Sequence, residues 1–192
     1  MRVVVINHLS LDGVMQAPGA PDEDTRHEFR HGGWATQRSG PELGEAMRQR
    51  MVDGFAWLFG RRSYDGMLSA WNDRGGPFKA GLNRTTKYVA SSDPSTELRW
   101  PSSTLLTGDV AGEVAHLRER AGGNLVVMGS GQLVRSLLPH GLVDEMLLFV
   151  HPVVLGSGER LFGTDERHDL ELVAQTVTQS GVLVVTYAPS GG

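Results

Sequence analysis

The order of short apolar runs and helical segments limits the fold of this chain more than any other feature. Runs typical of buried strands are followed, one after another, by stretches with apolar residues at helical spacing. The strand-like runs cover residues 3–6, 55–59, 87–90, 104–106 and 124–128. Because strand, helix, strand order gives right-handed crossovers between parallel strands, the pattern predicts an α/β fold with a mostly parallel sheet.

The last third of the chain changes this pattern. Residues 145–154 form one long apolar run, and residues 170–178 and 182–187 flank Gln179-Ser180-Gly181, which is a hairpin signal. We therefore expect antiparallel strands at the end of a mixed sheet, in a single domain over residues 1–192. Since the long run has hardly any polar alternation, it needs cover on both faces, from helices of the same chain or from a partner.

Composition excludes several function classes. The chain has 18 Lys and Arg against 22 Asp and Glu, and the formal net charge of -4 argues against nucleic-acid binding. Without Cys there is no thiolate nucleophile, disulfide or Cys-bound zinc. Asn7 and His8 interrupt the first apolar run, which is too short for a signal peptide or a membrane span. A cytoplasmic protein without a membrane partner is expected.

Two turns from a strand into a helix carry groups that bind phosphate. The first is Gly60-Arg61-Arg62-Ser63, and the second is Met128-Gly129-Ser130-Gly131-Gln132. Backbone N–H groups and guanidinium side chains converge on a phosphate at such turns. Two of them in one sheet predict a dinucleotide site, although solvated arginines at the end of an element would give the same local pattern.

The residues around the first turn favour NADP over NAD. No acidic residue follows strand 55–59 to bind a ribose 2′-hydroxyl, whereas Arg61 and Arg62 stand ready for a 2′-phosphate. Ser91 offers another hydroxyl, unless it forms the turn before Pro94. The second turn has Val134 where a G-x-G-x-x-G fingerprint needs glycine, which disfavours a standard Rossmann domain.

Taken in order, these segments resemble a known family. The matching segments are Ser10-Leu11-Asp12-Gly13-Val14, Gly60-Arg61-Arg62-Ser63-Tyr64, and residues 87–92, 127–131, 141–145 and 152–162. Together they are similar to the reductase domain of riboflavin biosynthesis, of the RibD C-terminal type, and to its dihydrofolate-reductase-like relatives. The resemblance covers nearly the whole chain.

The resemblance implies a three-layer fold with NADPH across the carboxyl ends of the strands. It implies that Gly60, Arg61, Arg62, Ser63 and Ser91 hold the adenosine-side phosphates, and that Gly129, Ser130, Gly131, Gln132 and Leu133 hold the pyrophosphate. It also implies a homodimer, for which residues 146–154 are the expected interface. The expected activity is hydride transfer to a small planar heterocycle, pterin-like or pyrimidine-like. Folate is in doubt, because Gly32-Gly33-Trp34 replaces the segment that carries a pterin-binding carboxylate in folate enzymes.

Asp12 and Trp34 are the predicted substrate-side residues. The resemblance puts Asp12 near the nicotinamide and substrate, and as the one carboxylate of the first strand and its turn it is the candidate for orienting a substrate amine or relaying a proton. Asp-Gly is also a common turn, so a structural role stays open. Trp34 would stack on a planar substrate or anchor the insertion around it.

A rival pattern is His27-Glu28-Phe29-Arg30-His31, a literal H-E-x-x-H. On a helix over residues 22–31 it would place His27 and His31 on one face for zinc, with Glu28 as the base of a hydrolase. The reductase interpretation needs no metal, and a module that binds NADPH without turnover is a further alternative. His8 and His151 show no paired spacing and are expected to be core or surface residues.

Overall fold

The computed structural model describes residues 1–52, 54–73 and 75–190, and within them it forms one eight-stranded sheet with five α-helices. The strands are β1 Val3–Ser10, β2 Ala56–Gly60, β3 Lys87–Ala90, β4 Ser103–Leu106, β5 Leu125–Met128, β6 Glu145–His151, β7 Leu170–Val177 and β8 Leu183–Pro189. The helices are α1 Pro41–Arg48, α2 Arg61–Asp73, α3 Gly76–Arg84, α4 Val110–Glu119 and α5 Gly131–Leu137.

The sheet has the order β4-β3-β2-β5-β1-β6-β8-β7. The first six strands in that order are parallel, so their carboxyl ends meet at one edge, while β8 and β7 run antiparallel to β6 and to each other. The predicted α/β fold with a mixed, mostly parallel sheet is confirmed. Its physical basis is the β-branched central strand β1, which is buried on both faces as strands of parallel sheets are.

Two hydrophobic layers enclose the sheet, and alternate residues of β1 point into them. Val3 and Val5 pack with residues of α4 and α5, whereas Val4 and Ile6 pack with residues of α1, α2 and α3. This alternation follows from the two-residue period of a strand. In the part of the chain that is described, no helix combines the length and hydropathy that a membrane span requires.

The long apolar strand β6 is covered by its own chain. Met146, Leu147, Leu148 and Phe149 are at most 3% exposed, and β6 lies between β1 and β8. The prediction that this strand forms a dimer interface is therefore wrong, because neighbouring strands and helices already satisfy the need for cover. A group of exposed apolar side chains lies instead at the sheet edge, on β7 and β8: Leu172, Val173, Val177 and Leu183. Val154, after the end of β6, is exposed as well, as are Leu11 and Val52.

The insertion after β1 differs from the predicted helix over residues 22–31. Residues 22–31 contain the 3-10 turn Arg26–Glu28, in which His27 and Glu28 have left-handed φ angles of 55° and 57°. Buried Gln16 holds the insertion, since its amide N–H donates to the carbonyl of Arg26 at 3.1 Å and its Oε1 accepts from the N–H of Glu159 at 2.9 Å. Tertiary contacts therefore shape this segment, and helical propensity does not.

Capping and turn residues of the sequence account for local features of the fold. The Asp109 side chain caps α4 by accepting from the N–H of Gly112 at 2.9 Å, and Gly181 takes a φ of 80° in the hairpin between β7 and β8. Gly75-Gly76-Pro77, which reads as a break, instead leads into α3. Gly75 and Gly76 have positive φ angles of 68° and 63°, so they turn the chain from one helix into the next.

Candidate functional site at the carboxyl edge of the sheet

The two predicted phosphate-binding turns lie side by side. Strands β2 and β5 pair, so the turn after each reaches the same edge of the sheet. The Ser130 hydroxyl accepts from the N–H of Gly60 at 2.9 Å, and the Ser63 hydroxyl donates to the carbonyl of Gly129 at 3.0 Å. Ser63 thus joins the turns rather than capping α2, which already begins at Arg61.

The turn after β5 is tightly packed around its glycines. Gly129 has a φ of 67°, and its N–H donates to Oδ1 of buried Asn7 at 3.0 Å. A Cβ on Gly131 would lie 2.5 Å from the sulfur of Met15, so a larger residue there would require the Met15 side chain to move. Gln132 is exposed, whereas Leu133 belongs to the core, so Leu133 offers a ligand its backbone alone.

A cleft of about 400 Å³ lies beside the first turn, at the carboxyl end of β3. It is lined by Arg61, Asp65, Ser91, Ser92, Asp93, Ser95, Thr96, Glu97 and Arg99. The structure therefore brings predicted Arg61 and Ser91 together and adds Arg99, which sequence reasoning missed. Arg62 is exposed but is not among the residues that line the cleft.

The charges of the cleft are mixed. Arg61 is paired with Asp65 at 3.1 Å on the next turn of α2. Asp93 accepts from the hydroxyl and the N–H of Ser95, and these hydrogen bonds hold the pKa of its carboxyl below the usual value. Any anion in the cleft therefore competes with carboxylates for the guanidinium groups.

Ser91 organises the loop after β3. Its hydroxyl lies 2.7 Å from the hydroxyl of Thr96 and accepts from the N–H of Asp93 at 3.2 Å. Ser91 is buried, so the loop holds its side chain in place. This is the turn-forming role that the sequence left open, and contact of Ser91 with a phosphate stays a prediction.

Asp12 fixes the loop between β6 and β7. Its carboxylate accepts from the Ser10 hydroxyl at 2.7 Å, from the N–H of Leu155 at 3.0 Å and from the N–H of Gly156 at 2.9 Å. The hydrogen bond from Ser10, followed by the backbone bonds, lowers the pKa of Asp12 to about 2. A carboxylate held ionised in this way is a poor proton donor at neutral pH, and its predicted position beside a substrate stays a prediction.

Trp34 anchors the insertion and also faces the sheet edge. Its indole N–H donates to the carbonyl of Gln16 at 2.7 Å, which fixes the orientation of the ring. The ring lies edge-on to His151, with centroids 5.3 Å apart. Both roles that the sequence offered for Trp34 are thus compatible with its position.

His8 and His151 form a pair that the sequence did not predict. The pair joins the carboxyl-terminal parts of the parallel strands β1 and β6, with His8 Nδ1 and His151 Nε2 2.9 Å apart. Burial, followed by the effect of His151, lowers the pKa of His8 to about 3. Burial, followed by the charge of Arg38, lowers the pKa of His151 to about 4. The available signal was a polar residue near the carboxyl end of each buried strand.

The zinc alternative loses its geometric basis. His27 and Glu28 adopt left-handed backbone angles, so the H-E-x-x-H pattern does not lie on a helix face. His27 points to Glu159 at 3.6 Å, while the His31 ring packs on Phe29. Within residues 1–52, 54–73 and 75–190, no three or more His, Cys, Asp or Glu side chains are grouped to hold a metal. The alternative of a zinc site at His27, Glu28 and His31 therefore disagrees with the structure.

Comparison with known proteins supports the predicted resemblance. The family model of the RibD C-terminal domain matches residues 2–184. The chain is 30% identical over 158 residues to the uncharacterised protein YyaP of Bacillus subtilis (strain 168), covering 79% of this chain and 81% of YyaP.

Solved structures share the fold at low sequence identity. A protein assigned to riboflavin biosynthesis from Shewanella sp. PV-4 superposes with a TM-score of 0.74 at 21% identity, over 100% of both chains. The dihydrofolate reductase of Enterococcus faecalis, complexed with NADP(H), superposes with a TM-score of 0.64 at 14% identity, over 99% of this chain and 97% of that one. The chain therefore shares the dihydrofolate-reductase-like fold of these two proteins.

Proposed function

Because the chain belongs to the RibD C-terminal domain family, we propose that it is an NADPH-dependent reductase of a small planar acceptor, acting as one domain. The observation that carries this proposal is the meeting of the Gly60 and Gly129 turns at one sheet edge, beside a cleft that contains guanidinium groups. A dihydrofolate reductase of the same fold is complexed with NADP(H).

The donors at this edge fit a dinucleotide phosphate. Arg61 and the loop of Ser91 would hold the 2′-phosphate in the cleft, with Arg99 as a further guanidinium. The backbone from Gly129 to Leu133 would hold the pyrophosphate, since glycines allow close approach. When bound, NADPH supplies the hydride, and the protein orients the acceptor and excludes competing reactions.

The ion pair between Arg61 and Asp65 makes the cofactor assignment testable. Both side chains are partly exposed, so the pair itself is weak. A 2′-phosphate would attract Arg61 away from Asp65, and the Asp65 carboxylate would repel the phosphate. We therefore expect Asp65→Asn to strengthen NADPH binding and to leave NADH binding nearly unchanged.

The experiment compares the dissociation constants of NADPH and NADH by fluorescence or calorimetry. Arg61→Ala should weaken NADPH about tenfold, since a charged hydrogen bond contributes about 1.5–3 kcal/mol, and NADH much less. Arg62→Ala, whose guanidinium does not line the cleft, is the matched control and should lose less. Equal losses for both cofactors would remove the 2′-phosphate assignment.

Two further outcomes concern catalysis. If neither cofactor binds at millimolar concentration, the reductase proposal is wrong. If NADPH binds but no carbonyl or heterocyclic compound in a broad panel causes its oxidation, the chain is a binding module without turnover. The panel includes pterins, ribosylated pyrimidines and simple imines.

We also propose that the chain forms a homodimer, with its interface at the edge strand β7. Leu172, Val173 and Val177 are more than half exposed, and Leu183 lies beside them on β8. The outer edge of β7 has backbone N–H and C=O groups that no neighbouring strand binds. In a symmetric dimer, β7 of a second copy would lie antiparallel to it, and the two strands would hydrogen-bond to each other. This arrangement would bury the apolar side chains that the single chain leaves in water.

A further inference from the structure

A cavity of about 520 Å³ lies at the edge of the sheet opposite the Gly60 and Gly129 turns. Its lining residues come from the segments that lead into the amino ends of β1, β2, β3 and β5, and from the ends of α3 and α4. The Gly60 turn leaves the carboxyl end of β2, so the two sites are separated by the length of that strand, about 13 Å. We call this feature the amino-edge cavity.

Two guanidinium groups give the amino-edge cavity a positive lining. Arg84 is the last residue of α3, and Arg120 directly follows α4. None of the described lining residues has an acidic side chain. The cleft beside the Gly60 turn, by contrast, combines two arginines with three acidic residues: Asp65, Asp93 and Glu97. An anion therefore meets no carboxylate of the described lining in the amino-edge cavity.

The two arginines are not engaged by the helices that they follow. Basic residues often lie at the carboxyl end of a helix, where they offset the partial negative charge of the last carbonyl groups. Arg120 Nη1 instead donates to the hydroxyl of buried Tyr88 at 3.2 Å, which orients it towards β3. Within the described part of the chain, the Arg84 guanidinium has neither a hydrogen bond nor an ion pair. Both groups can therefore bind a ligand in the cavity.

Apolar side chains form another part of the wall. Met1, Met51 and Phe55 line the cavity, and each packs against the hydrophobic core. The Phe55 ring lies edge-on to the ring of Trp57, with centroids 5.4 Å apart, so packing fixes its position. The hydroxyl-bearing residue Thr86 lines the same cavity. Apolar walls with a few polar and charged groups are typical of sites for small organic ligands.

We propose that the amino-edge cavity is a second binding site, which takes a small organic anion with a phosphate or carboxylate group on a compact apolar body. The anionic group binds the guanidinium groups of Arg84 and Arg120, whose planar forks match the oxygens of either group. The apolar body packs on Met51 and Phe55. The proposal does not depend on the reductase function, because no residue of the Gly60 and Gly129 turns lines this cavity.

The experiment measures binding of phenyl phosphate by calorimetry, with no cofactor present. The wild-type protein should bind this probe at millimolar concentration or below. Inorganic phosphate should bind at least about fivefold more weakly, because it has no apolar body to bury against the cavity wall. Equal affinity for the two compounds, or no binding of phenyl phosphate at millimolar concentration, would overturn the proposal.

Variants then locate the site. Arg84→Gln and Arg120→Gln each remove one guanidinium group and should weaken phenyl phosphate about tenfold. Arg30→Gln, at an exposed arginine of the insertion, changes the net charge equally and should bind like the wild type. Arg61→Ala should also bind like the wild type, since Arg61 lines the other cleft. If Arg61→Ala weakens phenyl phosphate and Arg84→Gln does not, the probe binds beside the Gly60 turn and the assignment is wrong.

A measurement on the wild-type protein avoids the risk that a variant misfolds. Phenyl phosphate should shift the backbone amide resonances of Thr86 and Gly122, which line the cavity, in 15N NMR spectra. Those of Gly60 and Gly129 should stay constant, and shifts confined to these two glycines would refute the site. Failure of the reductase proposal would be seen separately, as absence of NADPH binding, because none of these titrations contains cofactor.

Discussion

Substitution of Asp12 tests whether its hydrogen bonds to the loop between β6 and β7 stabilise the protein. In the Asp12→Asn variant one oxygen can still accept a hydrogen bond, but the charge is lost and an amide N–H then faces the N–H of Gly156 or Leu155. We expect the variant to be less stable at neutral pH, because the backbone N–H of Leu155 or of Gly156 loses its charged acceptor.

The size of the expected stability loss follows from the pKa of Asp12. A fall from 3.8 to about 2 corresponds to about 2.4 kcal/mol of stabilisation at neutral pH. This value is an upper bound, since the side chain is 19% exposed to solvent. The native pKa is below the unfolded value, so the stabilisation is complete above about pH 5 and is lost as the pH falls towards 2. At pH 3 it is about 1.3 kcal/mol.

The assay is urea unfolding of wild-type protein and Asp12→Asn at pH 7 and near pH 3. The difference in free energy of unfolding should be about 2 kcal/mol at pH 7 and roughly half of that at pH 3. Asp22→Asn, at an exposed aspartate, is the matched control and should differ little from wild type at either pH. A difference below about 0.5 kcal/mol at pH 7, or one that does not shrink in acid, would refute this account of Asp12.

Three further predictions concern stability and assembly. Lys87 is buried with only carbonyl partners, and burial lowers its pKa to about 8. The folded protein therefore releases this proton before the unfolded chain does, and raising the pH stabilises the fold. Between pH 7 and 10 the free energy of unfolding of the wild type, measured by urea unfolding, should rise by up to about 2.5 kcal/mol relative to Lys87→Met. If the two proteins respond to pH alike, Lys87 keeps an ordinary pKa. Gly158→Ala should lower the free energy of unfolding by about 2–3 kcal/mol in the same assay. Gly158 has a φ of 114°, and a Cβ there would lie 2.7 Å from the Phe29 ring. Gly163→Ala is the control and should be nearly neutral, because a Cβ at that position makes only ordinary contacts. Val177→Lys on β7 should convert a dimer to a monomer of 20.8 kDa by light scattering, and a wild-type mass of 20.8 kDa would reject the dimer.

Short-range chemistry accounts for what the sequence alone determined. The β-branched run of β1, the Asp109 cap of α4 and the glycine of the Gln179-Ser180-Gly181 hairpin each act within a few residues. The alternation of strands and helices then restricts the possible sheet topologies to a few. The predicted ends of β2 and β5 locate the turns at Gly60 and Gly129. The fold, and the position of the Gly60 and Gly129 turns at one edge of the sheet, could therefore be predicted without coordinates.

Sheet register decided the part of the site that the sequence did not predict. His8 and His151 are 143 positions apart, and nothing local to either residue indicates that β1 and β6 pair in the register that joins them. The same separation divides Asp12 from Leu155, so a common Asp-Gly turn could not be distinguished from a loop anchor. Local pattern also failed for the H-E-x-x-H segment, where contacts of Gln16 with both the insertion and Glu159 fix the backbone. A cap or a turn orders only a few neighbouring residues, so its entropy cost is small and local sequence determines it. Pairing of strands that are far apart in the chain costs more entropy. It becomes favourable only when many apolar side chains are buried at the same time, as in the folded sheet.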